Sequence, residues 1–316
     1  MLFMLYSHNL CLSIYLSIYL SIQNPFEFQY HYLCITLKYL NHNGKIFTTD
    51  KQVIPTDNGA FRYGYGIFET MLVTNCHINL YDYHWERLYS GLQQLYFYIP
   101  ALFTPTWLEQ QILKTVEKNN ALSLCRVRLQ LYANGGGLFT NQKNNPGILI
   151  ECFELDEHIT AFNENGLLVG IAENLTKSPD SLSNLKSCNA LIYAIAAKQA
   201  KEQKWNDTLI CNTRDNIIES AIANIFWVKN GELFTPPLSE GCVAGIMRRH
   251  IMEKSDRVIE KKLSLAELHQ ADEIFLTNAI KGIKWVATIQ DTQYTHRFTS
   301  QIHSLIFNTK KTVVGV

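Results

Sequence analysis

The sequence predicts a mixed α/β protein, because runs of alternating apolar residues are interleaved with segments of helical periodicity. The run CRVRLQLYA at 125–133 alternates apolar with other side chains, as a strand with one buried face does. By contrast, Leu88, Leu92 and Leu95 recur at spacings that place them on one face of a helix. The composition is also globular, since 47% of the 316 residues are apolar and 18% are charged.

The first half of the chain, from Lys38, is predicted to form strands separated by two amphipathic helices. Residues 154–165 are polar and irregular, and we predict a domain boundary there. The predicted elements are a strand pair around Asn43 and Gly44, a hairpin that turns near Thr74 and Asn75, helices over 84–98 and 106–118, and strands over 125–133 and 146–155.

The second half of the chain is also predicted to contain both strands and helices. The helix predicted over 189–203 is apolar nearly all round in its first turns, so we expect it to be central. A short helix over 263–271 has Ser264 as its expected N-cap. The other predicted elements are strands over 167–172, 207–213 and 217–236, a helix over 242–253, and a strand, tight connection and strand over 272–289.

The first 36 residues form a separate extension that is aromatic and almost uncharged. They contain SIYLSIYLSI, a strict four-residue repeat. Repeated TATC tetranucleotides, translated in triplets, encode these same residues, so we favour translated repeat DNA upstream of a true start near Leu37. A membrane or export segment and an ordered extension are the alternatives, although the run has no basic start and no small-residue cleavage pattern.

Charge and cysteine usage narrow the class of protein. Lys+Arg and Asp+Glu are both 28, and no basic stripe stands out, so the sequence indicates no nucleic-acid partner. None of the eight cysteines forms a CxxC pair or a Cys/His cluster at zinc spacing. We therefore expect reduced thiols in a cytoplasmic protein, with no metal site and no membrane partner.

Lys186 is a candidate functional residue, because it is a lone cation just before a predicted apolar helix. Lys186 precedes the helix predicted at 189–203, and Asp180 is the one acidic residue between Asn174 and Lys201. A lysine is hardly ever fully buried unless it is paired or has reacted. Three other segments carry similarly notable residues, namely HWERL (84–88), ESAIANIF (219–226) and GIMR (245–248).

From Lys38 onward, the order of these segments resembles the class IV, fold-type IV pyridoxal-phosphate enzymes. This family includes aminodeoxychorismate lyases, D-amino-acid aminotransferases and branched-chain aminotransferases. The resemblance implies a small α/β domain over 38–156, a larger cofactor-binding domain over 157–316, an active site in the cleft between them, and a homodimer. Further matching segments are DNGAFRYGYGIFET (57–70), KSCN (186–189), LFTPPLSEGCVAGIMR (233–248) and DEIFLTNAIKGI (272–283).

The resemblance also implies roles for individual residues. Lys186 is expected to form a Schiff base with pyridoxal 5'-phosphate and then to shuttle protons at the substrate α-carbon. Glu219 is expected to pair with the pyridine nitrogen, and Arg87 with the phosphate. The remaining expected residues are Gly245, Ile246, Met247, Thr277 and Asn278 around the phosphate, and Tyr63, Arg126 and Arg128 near the substrate.

The reaction is less clearly indicated. KSCN, NIFW, GIMR and TNAI look most like the lyases, which favours conversion of aminodeoxychorismate to p-aminobenzoate and pyruvate for folate synthesis. However, Ala133 and Asn134 stand where lyases and D-amino-acid enzymes commonly carry a carboxylate-binding arginine. An amino-acid aminotransferase, for branched-chain or D-amino acids, is the alternative, and a noncatalytic member with a binding role is a third.

Overall fold

The computed structural model describes residues 36–135, 146–255 and 257–307. The prediction for the N-terminal extension therefore lies outside the described residues, apart from Thr36, whose backbone pairs with Phe153. Within the described ranges, no helix is both long enough and apolar enough to cross a membrane.

A six-stranded sheet is built from the first half of the described chain, in the order β2-β1-β6-β5-β3-β4. All its neighbouring strands are antiparallel. The alternation predicted over 125–133 is present in the structure, where Val127, Leu129 and Leu131 form one buried face of the strand. The strands are β1 (Tyr39–His42), β2 (Lys45–Thr48), β3 (Gly66–Thr74), β4 (His77–Ile78), β5 (Leu124–Ala133) and β6 (Pro146–Phe153).

Two amphipathic helices cover that buried face. Leu88 and Leu92 from one, and Ile112 from the other, join the strand side chains in one core. The second helix begins sharply because Thr104 Oγ1 accepts a hydrogen bond from the Trp107 backbone N–H. The helices of this half are α1 (Gly59–Tyr63), α2 (Tyr81–Gln94) and α3 (Pro105–Lys118).

The second half of the described chain forms a nine-stranded sheet. This sheet is mixed, since β7 runs parallel to both β8 and β14, while β10 runs antiparallel to its neighbours. The strands are β7 (Leu167–Lys177), β8 (Asp207–Asn212), β9 (Ile217–Ser220), β10 (Asn224–Lys229), β11 (Glu232–Thr235), β12 (Val258–Glu260), β13 (Glu273–Asn278), β14 (Gly282–Ile289) and β15 (Thr292–Gln293).

Four helices accompany this second sheet. The expected cap at Ser264 is confirmed, because Ser264 Oγ accepts from the Glu267 N–H while the Glu267 carboxylate accepts from the Ser264 N–H. The helices are α4 (Leu191–Glu202), α5 (Ile246–Lys254), α6 (Leu265–Gln270) and α7 (Arg297–Phe307).

A short backbone pairing joins the two halves. The N–H of Phe68, in β3, donates to the carbonyl of Lys186 at 2.9 Å. The N–H of Cys188 donates to the carbonyl of Gly66 at 2.8 Å. The segment that carries Lys186 is therefore fixed against the first sheet, although it follows β7 in the chain.

Several predicted boundaries were wrong. Helix α2 begins at Tyr81 instead of residue 84, after Leu80 in the left-handed region at φ 55°, and it ends at Gln94. Helix α5 begins at Ile246 instead of Cys242, because residues 238–240 form a 3₁₀ turn and a loop follows it. The sequence analysis also missed α1 and α7.

The expectation that α4 is central was wrong as well. Its fully buried residues are the small side chains Ala196 and Ala200, which pack toward β7 and β8. Leu191 is 68% exposed and Ile195 is 37% exposed. The apolar first turn therefore does not indicate burial here, because the helix contacts the sheet through smaller residues that come later in its sequence.

Candidate active site

A cleft of about 270 Å³ lies where the two sheets meet. It is lined from the first sheet by Phe68 and Thr70, and from α2 by Arg87. The far wall includes Glu219 from β9 and Thr277 from β13. Chemistry-bearing residues that are far apart in the chain thus converge on one concavity, as is usual for small-molecule sites.

Lys186 projects into this cleft, with its ammonium 4.4 Å from the centroid of the Phe68 ring. Burial lowers the pKa of Lys186 to about 8, and the nearby Arg87 guanidinium adds to that effect, while Glu69 and Glu219 oppose it. The amine therefore reaches its neutral, nucleophilic form near physiological pH.

Arg87 is held in place by a buried carboxylate. Its Nε donates to Glu69 Oε1 at 2.8 Å, its Nη2 donates to Glu69 Oε2, and its Nη1 donates to the Ala244 carbonyl at 2.9 Å. Burial alone would raise the pKa of Glu69, but Arg87 and His84 together hold that pKa at about 2. Guanidinium N–H groups beyond these three remain available to a ligand in the cleft.

Glu219 forms the opposite pole of the site. Its Oε1 accepts from Lys177 Nζ and from the Tyr193 hydroxyl, both at 2.8 Å. Its Oε2 accepts from the Val243 N–H at 2.9 Å. Burial, together with the neighbouring Glu219 carboxylate, raises the pKa of Tyr193, so its hydroxyl remains a donor. These three donors fix the position of the Glu219 carboxylate at the cleft wall.

The start of α5 offers a cradle for an anion. Gly245 is its N-cap, and a Cβ there would lie 1.8 Å from Asn224 Oδ1, so glycine is required. Asn224 Nδ2 donates to the Val243 carbonyl at 2.9 Å and fixes the preceding loop. The first N–H groups of such a helix lack intrahelical acceptors and point toward anionic ligands.

Thr277 and Asn278 lie beside this cradle. Thr277 Oγ1 is buried and finds no hydrogen-bond partner among the described residues, which is the state expected of a ligand-binding hydroxyl. Asn278 also lines the cleft, but its Oδ1 accepts from the N–H groups of Ile280 and Lys281. Asn278 therefore shapes the turn as well as the wall.

The structure brings most of the expected residues together. Lys186, Arg87, Glu219, Gly245, Ile246, Thr277, Asn278 and Arg126 all line the cleft.

Three others lie nearby. Met247 is buried in the first turn of α5, and Arg128 stacks over the Phe68 ring at 4.0 Å while Gln130 accepts from its guanidinium. Tyr63 instead lines an adjoining cavity of about 530 Å³, which shares Leu185, Ser187 and Tyr193 with the cleft.

Sequence reasoning missed the residues that hold others in place. Glu69, Lys177, Tyr193 and Asn224 each orient a site residue through the bonds described above. Glu69 and Asn224 lie inside the matching segments, so their polarity in apolar strands was an available signal. Lys177 and Tyr193 gave no such signal. Lys281, which also lines the cleft, was likewise missed.

These features define an enzyme with a reactive lysine in a cleft between two sheets, and comparisons with known proteins identify the family. The family model "Amino-transferase class IV" matches residues 66–289, more than half of the chain. The chain therefore belongs to the class IV aminotransferases, a family of pyridoxal-phosphate-dependent enzymes, as its motifs predicted.

Individual relatives and a solved structure agree with this membership. An aminodeoxychorismate lyase of Vibrio harveyi is 27% identical over 75% of this chain and 87% of its own length. A putative branched-chain-amino-acid aminotransferase of Methanocaldococcus jannaschii is 28% identical over 76% of this chain and 84% of its own length. The crystal structure of the Escherichia coli branched-chain aminotransferase superposes with a TM-score of 0.77 at 21% identity, covering 86% of this chain and 94% of the other, which confirms the fold.

Proposed function

We propose that this chain binds pyridoxal 5'-phosphate and acts on an amino acid or amino-acid-like substrate, with Lys186 as its catalytic amine. We further propose that the reaction is that of an aminodeoxychorismate lyase, which yields p-aminobenzoate and pyruvate. The observation that carries the proposal is the convergence of Lys186, Glu219 and the start of α5 on one cleft.

The residues present fit the cofactor. An unpartnered buried hydroxyl, a glycine N-cap and an arginine form a donor set suited to a phosphate. Lys186 would hold the cofactor covalently, and Glu219 would face its ring nitrogen. When bound, pyridoxal phosphate supplies an electron sink for a bond broken at the substrate α-carbon.

The chain's own groups then have distinct tasks. Lys186, with its pKa near 8, can take a proton from the substrate α-carbon and return one later. Glu219 is held in place because Lys177, Tyr193 and a backbone N–H donate hydrogen bonds to it. Phe68 covers one side of the amine and limits its contact with water.

The lyase is favoured over the aminotransferase by sequence motifs and by one relative. KSCN, NIFW, GIMR and TNAI are most similar to lyase sequences, and the Vibrio harveyi relative bears that name. An amino-acid aminotransferase is the second candidate, supported by the Methanocaldococcus jannaschii relative. Both reactions begin with loss of the α-proton and therefore share the Lys186 machinery.

The visible spectrum of the purified protein tests the proposal. A bound cofactor gives a visible absorption band, and a panel of L- and D-amino acids without keto acid is then added. Bleaching by one donor identifies an aminotransferase. A band that no amino acid bleaches, together with pyruvate release from aminodeoxychorismate, identifies the lyase. Absence of bound cofactor would contradict the proposal and favour a noncatalytic binding protein.

Three further features belong to the same proposal. We propose that the chain divides into domains at 38–156 and 157–316, which is supported by the two separate sheets. We also propose a homodimer in the cytoplasm, with Tyr63 near the substrate. Sedimentation analysis of the purified protein tests the dimer directly.

A further inference from the structure

Lys281 is a cleft residue that the proposed chemistry does not use. It lies in the turn between β13 and β14, and it lines the same cleft as Lys186. Asn278 Oδ1 accepts from the backbone N–H of Lys281 at 2.8 Å and from that of Ile280 at 3.0 Å. The turn that presents Lys281 is therefore fixed by a side-chain cap.

The ammonium of Lys281 has no ion-pair partner within the described parts of the chain. Asp207 is the acid that acts on it electrostatically, but Asp207 already accepts from Ser220 Oγ at 2.7 Å and from the Thr208 N–H at 2.8 Å. Lys284 adds a second positive charge nearby. Burial lowers the pKa of Lys281. Removing such a cation from water costs free energy, and an anionic ligand that pairs with it would offset that cost.

The charge balance of the cleft shows what that ligand should be. Its described lining includes four basic residues, Arg87, Arg126, Lys186 and Lys281, but one acidic residue, Glu219. Glu219 is already paired with Lys177, and Arg87 with Glu69. The cleft is therefore electropositive even after the proposed phosphate site takes up Arg87, and it favours an anionic substrate.

The end of β5 cannot supply the cation that such a substrate needs. Ala133 and Asn134 stand where related enzymes commonly carry an arginine, and neither is a cation; Ala133 is 2% exposed. A Cβ built on Gly59 of α1 would lie 2.8 Å from the Ala133 Cβ. Helix α1 therefore closes over this position, and a longer side chain would not fit there.

We propose that Lys281 binds a carboxylate of the substrate and so takes over the task of that strand-end arginine. The inference rests on the proposed function and adds to it a residue that sets specificity. The recognised class is an amino acid or amino-acid-like compound with a carboxylate directed at the β13–β14 turn. Lys281 thus acts in ground-state binding, whereas Lys186 acts in the reaction itself.

The test uses the holoenzyme with Lys281→Met, Lys281→Arg and Lys284→Met. Met retains most of the length of the lysine side chain without its charge, and Arg restores the charge. Lys284 is the matched control because it is a neighbouring lysine whose Nζ donates to the Ala161 carbonyl and which does not line the cleft. Calorimetry measures the binding of glutarate and of its uncharged dimethyl ester, and steady-state kinetics follow.

Lys281→Met is expected to weaken glutarate binding about 10- to 100-fold and to leave ester binding unchanged. KM should rise by a similar factor while kcat changes little, because the lost interaction stabilises the bound substrate and the transition state alike. Lys281→Arg should recover most of the loss, and Lys284→Met should behave as wild type.

Equal glutarate affinity in Lys281→Met and wild type would overturn the inference, and so would an equal loss in Lys284→Met. The visible absorption band separates this failure from that of the proposed function. If the wild type holds the cofactor and Lys281→Met binds glutarate normally, the inference alone fails. If the wild type holds no cofactor, the proposed function fails and the inference fails with it.

Discussion

Lys186 and Lys177 stand nine residues apart and both lie close enough to Glu219 to interact with it, yet their surroundings differ. Lys177 Nζ lies 2.8 Å from Glu219 Oε1, so its charge is matched by a carboxylate. Lys186 forms no ion pair within the described residues and lies over the Phe68 ring, near the Arg87 guanidinium. Lys177 is thus bound to a carboxylate, whereas the surroundings of Lys186 favour its neutral amine.

The role of each lysine is therefore set by its partner rather than by its burial. Both side chains are largely removed from water. Burial without a carboxylate shifts the balance toward the neutral amine, which is the form that attacks a carbonyl carbon. Direct pairing with a carboxylate instead makes Lys177 a positioning residue for Glu219.

Substitution of Lys186 is expected to cause the largest loss of activity. Lys186→Ala should reduce turnover by at least about 1000-fold, because it removes both the covalent attachment and the proton carrier. Stopped assays with the best substrate measure the loss, and thermal unfolding checks that the variant is folded. Full turnover in a folded Lys186→Ala protein would contradict the whole assignment.

A pH titration of the cofactor-free protein can measure how the protonation of Lys186 differs from that of an ordinary lysine. Since the pKa of Lys186 is about 8, its neutral fraction should rise as the pH increases through 8. At pH 8 about half of it is neutral, which is about 100-fold more than for a free lysine with a pKa near 10.4. Pulsed acetylation with peptide mass spectrometry measures this enrichment.

In the same acetylation experiment, Lys177 should react more slowly than Lys186 because Glu219 engages its ammonium. N-acetyl-lysine, included in the reaction, provides the free reference. If the labelling rate of Lys186 matched this reference at every pH, the lowered pKa would be wrong.

A smaller effect is expected at Lys177. Lys177→Met should lower kcat about 10-fold, because Glu219 would lose the charged partner that holds its carboxylate in position. The visible absorption band of the bound cofactor should shift in wavelength, because the Glu219 carboxylate would no longer be held in place. Lys177→Arg is the control, and it should retain both the rate and the spectrum. An unchanged band in Lys177→Met would limit Lys177 to a structural role.

Several features could be predicted from sequence, because they depend on interactions between residues that are close together in the chain. The Ser264 cap depends on residues three apart, and the β5 face depends on simple alternation. The resemblance of the segments around Arg87, Lys186, Glu219 and Gly245 to the class IV enzymes predicted a shared site, and the cleft does bring these residues together.

The position of Lys177 could not be predicted in this way. The pairing of β7 with β8 shifts register between Ile171 and Thr176, and Asn174 adopts a left-handed φ of 56° within this stretch. A slip of one residue reverses which face of a strand each side chain occupies. Whether Lys177 faces Glu219 or solvent therefore depends on an irregularity that no periodic pattern reveals.

The smallest effect is expected at a lysine that has a carboxylate partner but no burial. Lys198 of α4 lies 3.8 Å from Glu202, one turn later, and their side chains are 75% and 62% exposed. Water screens such pairs, so Lys198→Ala should change the free energy of unfolding by less than about 0.5 kcal/mol and leave kcat unaltered. Urea denaturation and the standard assay measure both. A loss comparable to that of Lys177→Met would show that lysine charge matters regardless of position, and the contrast between Lys186 and Lys177 would then lose its meaning.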